Sequence, residues 1–189
     1  MAGILKLFDV FRDGRHEESA RRLYAALVGQ ARQPGFYAVC GVPDTVDGRF
    51  DMILLHAFLL LRRLKREHAR SRDLGQAVFD LMFADMDENL REMGVGDLAV
   101  GKRIKGMAQA FYGRIAAYEA GLAAADESLD LALRRNLYRK AAPADAAVAL
   151  VADYLRREAA ALDAEPLDSF LTGQVRFGPA PAIDTGDAK

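Results

Sequence analysis

Apolar positions return with helical spacing through most of the chain, most legibly between Phe79 and Tyr118. Phe79, Met82, Phe83, Met86, Leu90 and Met93 fall at i, i+3, i+4, i+7, i+11 and i+14, one narrow stripe of a helix. Asp80, Asp85, Asp87, Glu88 and Glu92 lie off that stripe, so its outer side is expected to be acidic, with Arg91 the exception. Gly94 suits a left-handed helix end, and Asp97 is placed to cap the next helix. There Val100, Ile104, Met107, Phe111, Ile115 and Tyr118 share one face, while Lys102 and Lys105 point away from it. Ala99, Gly106, Gly113 and Ala120 recur every seven residues on this second helix. Glycine inside a helix costs about 1 kcal/mol relative to alanine, so the seam predicts close approach by another helix of this chain, with a partner's helix as the alternative.

The flanking segments extend the same pattern. Ile4, Leu5, Phe8 and Phe11 share a face in an N-terminal amphipathic arm, residues 1–14, expected to fold back on the core, with a membrane interface as its other use. Ala20, Leu23, Tyr24, Leu27, Val28 and Ala31 predict a helix from Glu17 to Arg32, stopped by Gln33-Pro34-Gly35. Phe36 to Phe50 reads as an ordered loop, with Thr45 or Asp47 capping the helix after it. From Met52 to Leu61 apolar residues cover nearly the whole circumference, the signature of a central core helix. A basic run from Arg62 to Arg72 comes next, read as the solvated end of that helix or as a face toward anionic lipid, and Ser71 or Asp73 is expected to begin the acidic helix. Leu129, Leu131, Leu133 and Leu137 mark a further helical segment; Pro143 or Ala144 opens a long one to Leu162, and Pro166–Leu171 adds a turn. The proline- and glycine-rich end, residues 173–189, predicts a disordered tail. The expected fold is all-α, a single multi-helix domain over residues 15–172 with a central apolar helix and a charged helical hairpin.

Composition narrows the chemistry. With 51% apolar and 28% charged residues over 189 positions, the chain is a globular domain long enough to bury a core. A net charge of −1 argues against nucleic acid as a partner, because neutralising phosphates takes a basic excess. Cys40, the one cysteine, excludes an intramolecular disulfide and fits a reducing compartment. No signal segment or membrane span is visible, which predicts a cytoplasmic location with room for peripheral membrane contact. The three histidines, 16, 56 and 68, lack the Glu-x-x-His spacing of a carboxylate-bridged metal pair. His56 is expected to be a core histidine with one hydrogen-bonded partner rather than a base or a ligand. Gly94-Val95-Gly96 lacks the third glycine of a phosphate loop, and Cys40 reads as a small buried filler. No catalytic residue, cofactor or metal site is expected.

Two long stretches carry a resemblance. FYAVCGVPDTVDGRFDMILLHAFLLLRRL and VFDLMFADMDENLREMGVGDLAVGKRIKGMAQAFYGRIAAY resemble the ubiquinol–cytochrome c chaperone family, through the GVPDT…GRF loop and the MF-x-DMD…LREMG-x-GD…K…FYGR run. The resemblance implies a non-catalytic assembly chaperone for the cytochrome bc1 complex. It would bind newly made cytochrome b, or another membrane-protein client, at the cytoplasmic side of the inner membrane. Such a protein needs charged surfaces that recognise client loops. Asp85, Asp87, Glu88 and Arg91 on one helix, Lys102 and Lys105 on the next, and Asp44 and Arg49 in the loop are the candidate partner-binding residues; a solvated face with interhelical salt bridges is the plainer reading. The alternative function is an all-α enzyme or carrier for a small apolar ligand or metal.

Overall fold

The helices of this chain are arranged around one that has no polar side. A computed structural model describes residues 14–124 and 126–182. Its elements are α1 (Gly14–Ala31), α2 (Pro34–Ala38), α3 (Val46–Lys65), α4 (His68–Glu92), α5 (Asp97–Ala123), α6 (Ser128–Leu133) running into a π-helical turn (Arg134–Tyr138), α7 (Asp145–Ala164) and α8 (Leu167–Leu171). Among the described residues there is no strand, and the helices form a single all-α domain. The N-terminal arm lies outside the described residues except Gly14, which opens α1.

α3 is the centre. Thr45 caps it, its hydroxyl oxygen accepting the Gly48 N–H at 3.1 Å. Arg62, Arg63 and Lys65 occupy the last turn, where positive charge opposes the helix dipole. Between these ends Met52, Leu54, Leu55, Phe58, Leu59 and Leu60 are all buried, walled by α1, α4 and α7. Truncating one of these leucines to alanine costs roughly 2–5 kcal/mol in such a setting.

Three polar groups interrupt the apolar surface of α3, and each is bonded. Asp51, 1% exposed, accepts a hydrogen bond from Arg139 (Nη2 to Oδ1 2.7 Å) and forms ion pairs with Arg139 (Nε to Oδ2 2.5 Å) and Arg114 of α5 (Nη2 to Oδ1 2.9 Å). Burial pushes the Asp51 carboxyl up to about 6 against the pull of Arg114 and Arg139, so it is ionised at neutral pH. Arg139 reaches it from a left-handed residue, φ +53, just past the π-helical turn. His56 is fully buried and has two partners rather than the one expected: its Nδ1–H donates to Met52 O (2.8 Å), and the Tyr154 hydroxyl donates to its Nε2 (2.8 Å). Tyr154 in turn accepts from Gln30 of α1 (3.0 Å). Arg63 donates to Leu162 O (2.9 Å) and Glu165 O (2.8 Å), satisfying carbonyls at the end of α7.

Several boundaries differ from the sequence expectation. The ordered loop shrinks to 39–45, because Pro34–Ala38 makes a helical turn and α3 starts at Val46. α4 begins at His68, because the Ser71 hydroxyl turns back to Leu64 O (2.5 Å) and Glu67 O (3.0 Å) and bridges the α3–α4 junction instead of capping. Much of the basic run is consumed internally: Arg62 and Arg66 both meet Asp163 (2.8 and 2.9 Å), and Arg70 meets Asp168 (2.7 Å). The tail expected from 173 is corrected for residues 173–182, which run as a strap over α1 and α7. Gly178 N–H donates to the buried Glu158 (2.8 Å), Gln30 donates to Gly178 O (2.8 Å), and the Phe177 ring meets His56 edge-on at 5.4 Å. Residues 183–189 lie outside the described residues. The small-residue seam of α5 is corrected as regards a helix of this chain. Ala99, Gly106, Gly113 and Ala120 are exposed, and nothing stands within 4 Å of a Cβ built at either glycine. The close approach is at Gly121, where a Cβ would lie 2.6 Å from Leu129 Cα.

The buried polar groups of α3 make stability testable in two ways. Asp51 holds its proton more tightly folded than unfolded, so its contribution to stability grows as pH falls from 7 toward 4, and the stability of wild type relative to Asp51→Asn in urea denaturation should rise over that range. Burial lowers the His56 pKa to about 4 from its ordinary 6.5, outweighing the Met52 bond that raises it. The folded state therefore gains from a neutral His56 above pH 6.5 and loses that gain as pH falls toward 4, an effect of about 3 kcal/mol. The stability deficit of His56→Leu against wild type, taken at each pH so that other groups cancel, should shrink by that amount between pH 7 and pH 4.

Candidate functional site

The two helices with most of the sequence-predicted recognition residues are joined by a turn whose geometry is set by Gly94. With φ +80 at Gly94, Val95 N–H donates to Leu90 O (3.0 Å) and Gly94 N–H to Arg91 O (2.9 Å), a Schellman ending for α4. α5 then starts from Gly96, whose carbonyl accepts from Ala99 (2.8 Å) and Val100 (3.1 Å). Asp97 is therefore not the cap; it sits in the first turn of α5 and accepts from Arg91 across the bend. Arg91 also bonds Asp87 (2.5 Å), and this bond, together with the contact to Asp97, holds its guanidinium protonated above its ordinary range. At the tip Leu90 and Val100 are buried yet stand apart from the main core, and Met93, expected on the buried stripe, is 51% exposed.

The candidate residues do not form one surface. Asp85 faces inward: the Tyr24 hydroxyl of α1 donates to its Oδ2 at 2.6 Å. Burial, then this bond, raises the Tyr24 pKa well above its ordinary value. Asp85 thus joins α1 to α4, and the acidic outer side loses one member. Asp87 and Arg91 are paired with each other. Glu88, Lys102 and Lys105 are exposed and make no ion pair among the described residues. Asp44 and Arg49 pair at 2.6 Å in the loop and the first turn of α3, and Arg49 holds the Asp44 carboxyl below its usual range. No hydrogen bond or ion pair among the described residues connects that pair to the hairpin charges.

The GVPDT…GRF segment has a structural explanation of its own. A Cβ at Gly48 would lie 2.0 Å from Pro43 O, so only glycine lets the loop close on the start of α3. Sequence reasoning missed Val46 and Tyr112, which are 63% and 62% exposed. For Tyr112 the signal was present: it directly succeeds the buried Phe111, so one of the two aromatics in FYGR must turn away from the core.

The two groups weighed for reactive chemistry in the sequence, Cys40 and His56, are both enclosed. Cys40 is buried, which pushes its thiol up to about 11, and both ring nitrogens of His56 are occupied. Among the described residues no group of three or more His, Cys, Asp or Glu side chains is placed to hold a metal ion, and no helix is long and apolar enough to cross a membrane.

Comparison with known proteins adds a family. Residues 38–177 match the family model described as ubiquinol–cytochrome C chaperone. The ubiquinol–cytochrome c reductase complex assembly factor 1 of Mus musculus is 29% identical over 162 residues, covering 85% of this chain and 55% of that protein. Its counterpart in Xenopus laevis is 28% identical, covering 85% of this chain and 81% of that one. The chain thus spans about half the length of the mouse relative. The crystal structure of the Cbp3 homolog from Brucella abortus superposes with a TM-score of 0.80 at 36% identity, covering 94% of this chain and 97% of that one.

The inward and outward acids of α4 should separate on substitution. Asp85→Ala removes the partner of a half-buried phenol and should cost about 1.5–3 kcal/mol. Glu88→Ala, on the exposed side, should stay within about 0.5 kcal/mol of wild type. Thermal or urea unfolding of the two variants side by side checks the difference.

Proposed function

The chain belongs to the ubiquinol–cytochrome c chaperone family, and from that premise we propose that it binds newly made cytochrome b and holds it during assembly of the cytochrome bc1 complex, making and breaking no covalent bond. The family is one of assembly chaperones for that complex; the client and the non-catalytic mode of action are the proposal. The observation that carries it is the extent of the family match, which runs from the end of α2 through α8 to Phe177 and so takes in α3 with its α4 and α7 walls, leaving α1 outside.

The distribution of charge supports the same reading. Arginines of the α3–α4 junction are paired within the protein, while Glu88, Lys102 and Lys105 near the α4–α5 bend are left to solvent. Unpaired charges on a braced hairpin suit the polar loops that connect membrane helices, since charge complementarity selects partners and steers encounter. Asp87, Arg91, Asp44 and Arg49 belong to this surface only if the client displaces their present pairing. The site of action proposed is the cytoplasmic side of the inner membrane, where the loops of an inserting client emerge.

Deletion of the gene, with difference spectra then taken of the membranes, should lower the b-type cytochrome signal. Co-purification of cytochrome b with the tagged full chain should fall about tenfold, about 1.4 kcal/mol, in the Glu88→Lys, Lys102→Glu, Lys105→Glu triple variant. Undiminished recovery by a folded variant would discard the hairpin as the client surface.

A further inference from the structure

A groove on the opposite stretch of the same hairpin is built differently from the rest of the surface. Leu61 and Leu64 of α3 form its floor with Gly75 of α4, and Phe79 and Tyr112 wall it, their rings 6.1 Å apart. Its polar lining is Lys65, His68 and Arg72 with the neutral Ser71 and Gln76. No carboxylate lines it, although α4 carries Asp73, Asp80, Asp85, Asp87, Glu88 and Glu92 along its length. Within the basic run, the four remaining arginines are all paired: Arg62 with Asp163 and Glu119, Arg63 with Glu67, Arg66 with Asp163, and Arg70 with Asp168. Lys65, His68 and Arg72 make no ion pair among the described residues. The basic side chains of this run without ion-pair partners among the described residues are thus the ones beside exposed apolar surface.

We propose that this groove docks an acidic segment of a partner polypeptide, with one large apolar side chain packing onto Leu61, Leu64 and the contacting rings of Phe79 and Tyr112, and flanking carboxylates meeting Lys65 and Arg72. The charge complementarity is one-sided, since three basic groups and no acid line the groove. A bilayer fits less well. Membrane-binding faces push apolar side chains outward into the interface, whereas here the leucines form a recessed floor that receives a side chain rather than inserting one. Gly75 leaves the space open. A Cβ there would lie 3.8 Å from Leu61 and 3.9 Å from Leu64, ordinary contact for a methyl group, and anything longer would occupy the groove. The proposal goes beyond the client reading above and does not depend on cytochrome b being the partner.

The test uses the full chain and a fluorescein-labelled peptide, GEELFDEEG, with two controls: GKKLFKKKG, which reverses the charge, and GEEGGDEEG, which removes the apolar anchor. The acidic Leu-Phe peptide should bind with a Kd of about 10–100 µM at low salt and weaken as salt is raised; both controls should be weaker by about tenfold or more. Gly75→Leu and the Lys65→Glu, Arg72→Glu double variant should each weaken binding about tenfold or more, while Gly75→Ala, which adds only a methyl group, should bind like wild type, with circular dichroism confirming that all are folded. Absence of binding to wild type, equal binding of the lysine peptide, or indifference to Gly75→Leu would overturn the proposal. So would sedimentation with phosphatidylglycerol vesicles that depends on Lys65 and Arg72 in the absence of peptide binding, which would assign the face to membrane. Recovery of cytochrome b by Gly75→Leu, measured in parallel, reports on the client reading separately.

Discussion

A helix apolar around its whole circumference has no side it can leave in water, and α3 places that demand on every other element. α1, α4 and α7 supply walls, and the strap at 173–182 covers the remaining edge near His56. Apolar contact alone would let these walls slide, because leucine packs against leucine in more than one register. The three polar groups on α3 remove that freedom. Asp51 fixes α5 and the turn after α6 through Arg114 and Arg139; His56 fixes α7 through Tyr154, and then α1 and the strap through Gln30; Arg63 fixes the end of α7. Each is costly to bury unbonded and each is bonded. The interior is therefore specified by hydrogen bonds at three levels along one helix, and stabilised by the apolar area between them.

That internal specification determines how the charged residues are used. An arginine-rich segment read in isolation suggests a basic surface, yet the guanidiniums of residues 62, 63, 66 and 70 all meet acceptors within the chain. The proposed recognition draws on side chains with no ion pair among the described residues: Lys65 at the end of α3 with His68 and Arg72 at the start of α4, and Glu88, Lys102 and Lys105 near the α4–α5 bend. Binding capacity is better judged from charges that lack an internal partner than from charge density along the chain.

How much of this was legible in the sequence depends on the range of the interaction. Helical periodicity located α1, α4, α5 and α7 and the all-round apolar α3, because each is a property of residues three to four apart. Thr45 and Gly94 were legible for the same reason, a cap and a left-handed turn being local. Periodicity cannot say which neighbour a face will meet. Asp85 lay off the apolar stripe and was assigned to solvent, but α1 brings Tyr24 to it from 61 residues away. The seam of Gly106 and Gly113 predicted a tight helix contact that the chain makes at Gly121 instead, and the seven-residue recurrence carried no information about the position of α6. Residues 173–182 read as tail because proline and glycine lower helix and strand propensity. Their backbone groups are bound all the same, by Gln30, Arg157 and Glu158, contacts that composition does not encode.

The hairpin connects this interior to the proposed recognition. Its two helices are anchored at depth by polar contacts, α4 by Ser71 to Leu64 O and Asp85 to Tyr24, α5 by Arg114 to Asp51. Past Met86 and Phe111, the last core residues toward the tip, Leu90 and Val100 are the buried side chains among the described residues, and the Schellman turn with the Arg91 contacts closes the end. Such a region opens at lower free energy than the core does. A braced base with a lightly supported tip gives a client-facing element a fixed direction while leaving its end free to adapt. The groove at Gly75 lies toward the braced part, between α3, α4 and α5, where the walls are held by the core. Rigid walls suit the reception of a single side chain, and an adaptable tip suits loops of varied sequence, so the two surfaces of one hairpin are fitted to different kinds of contact.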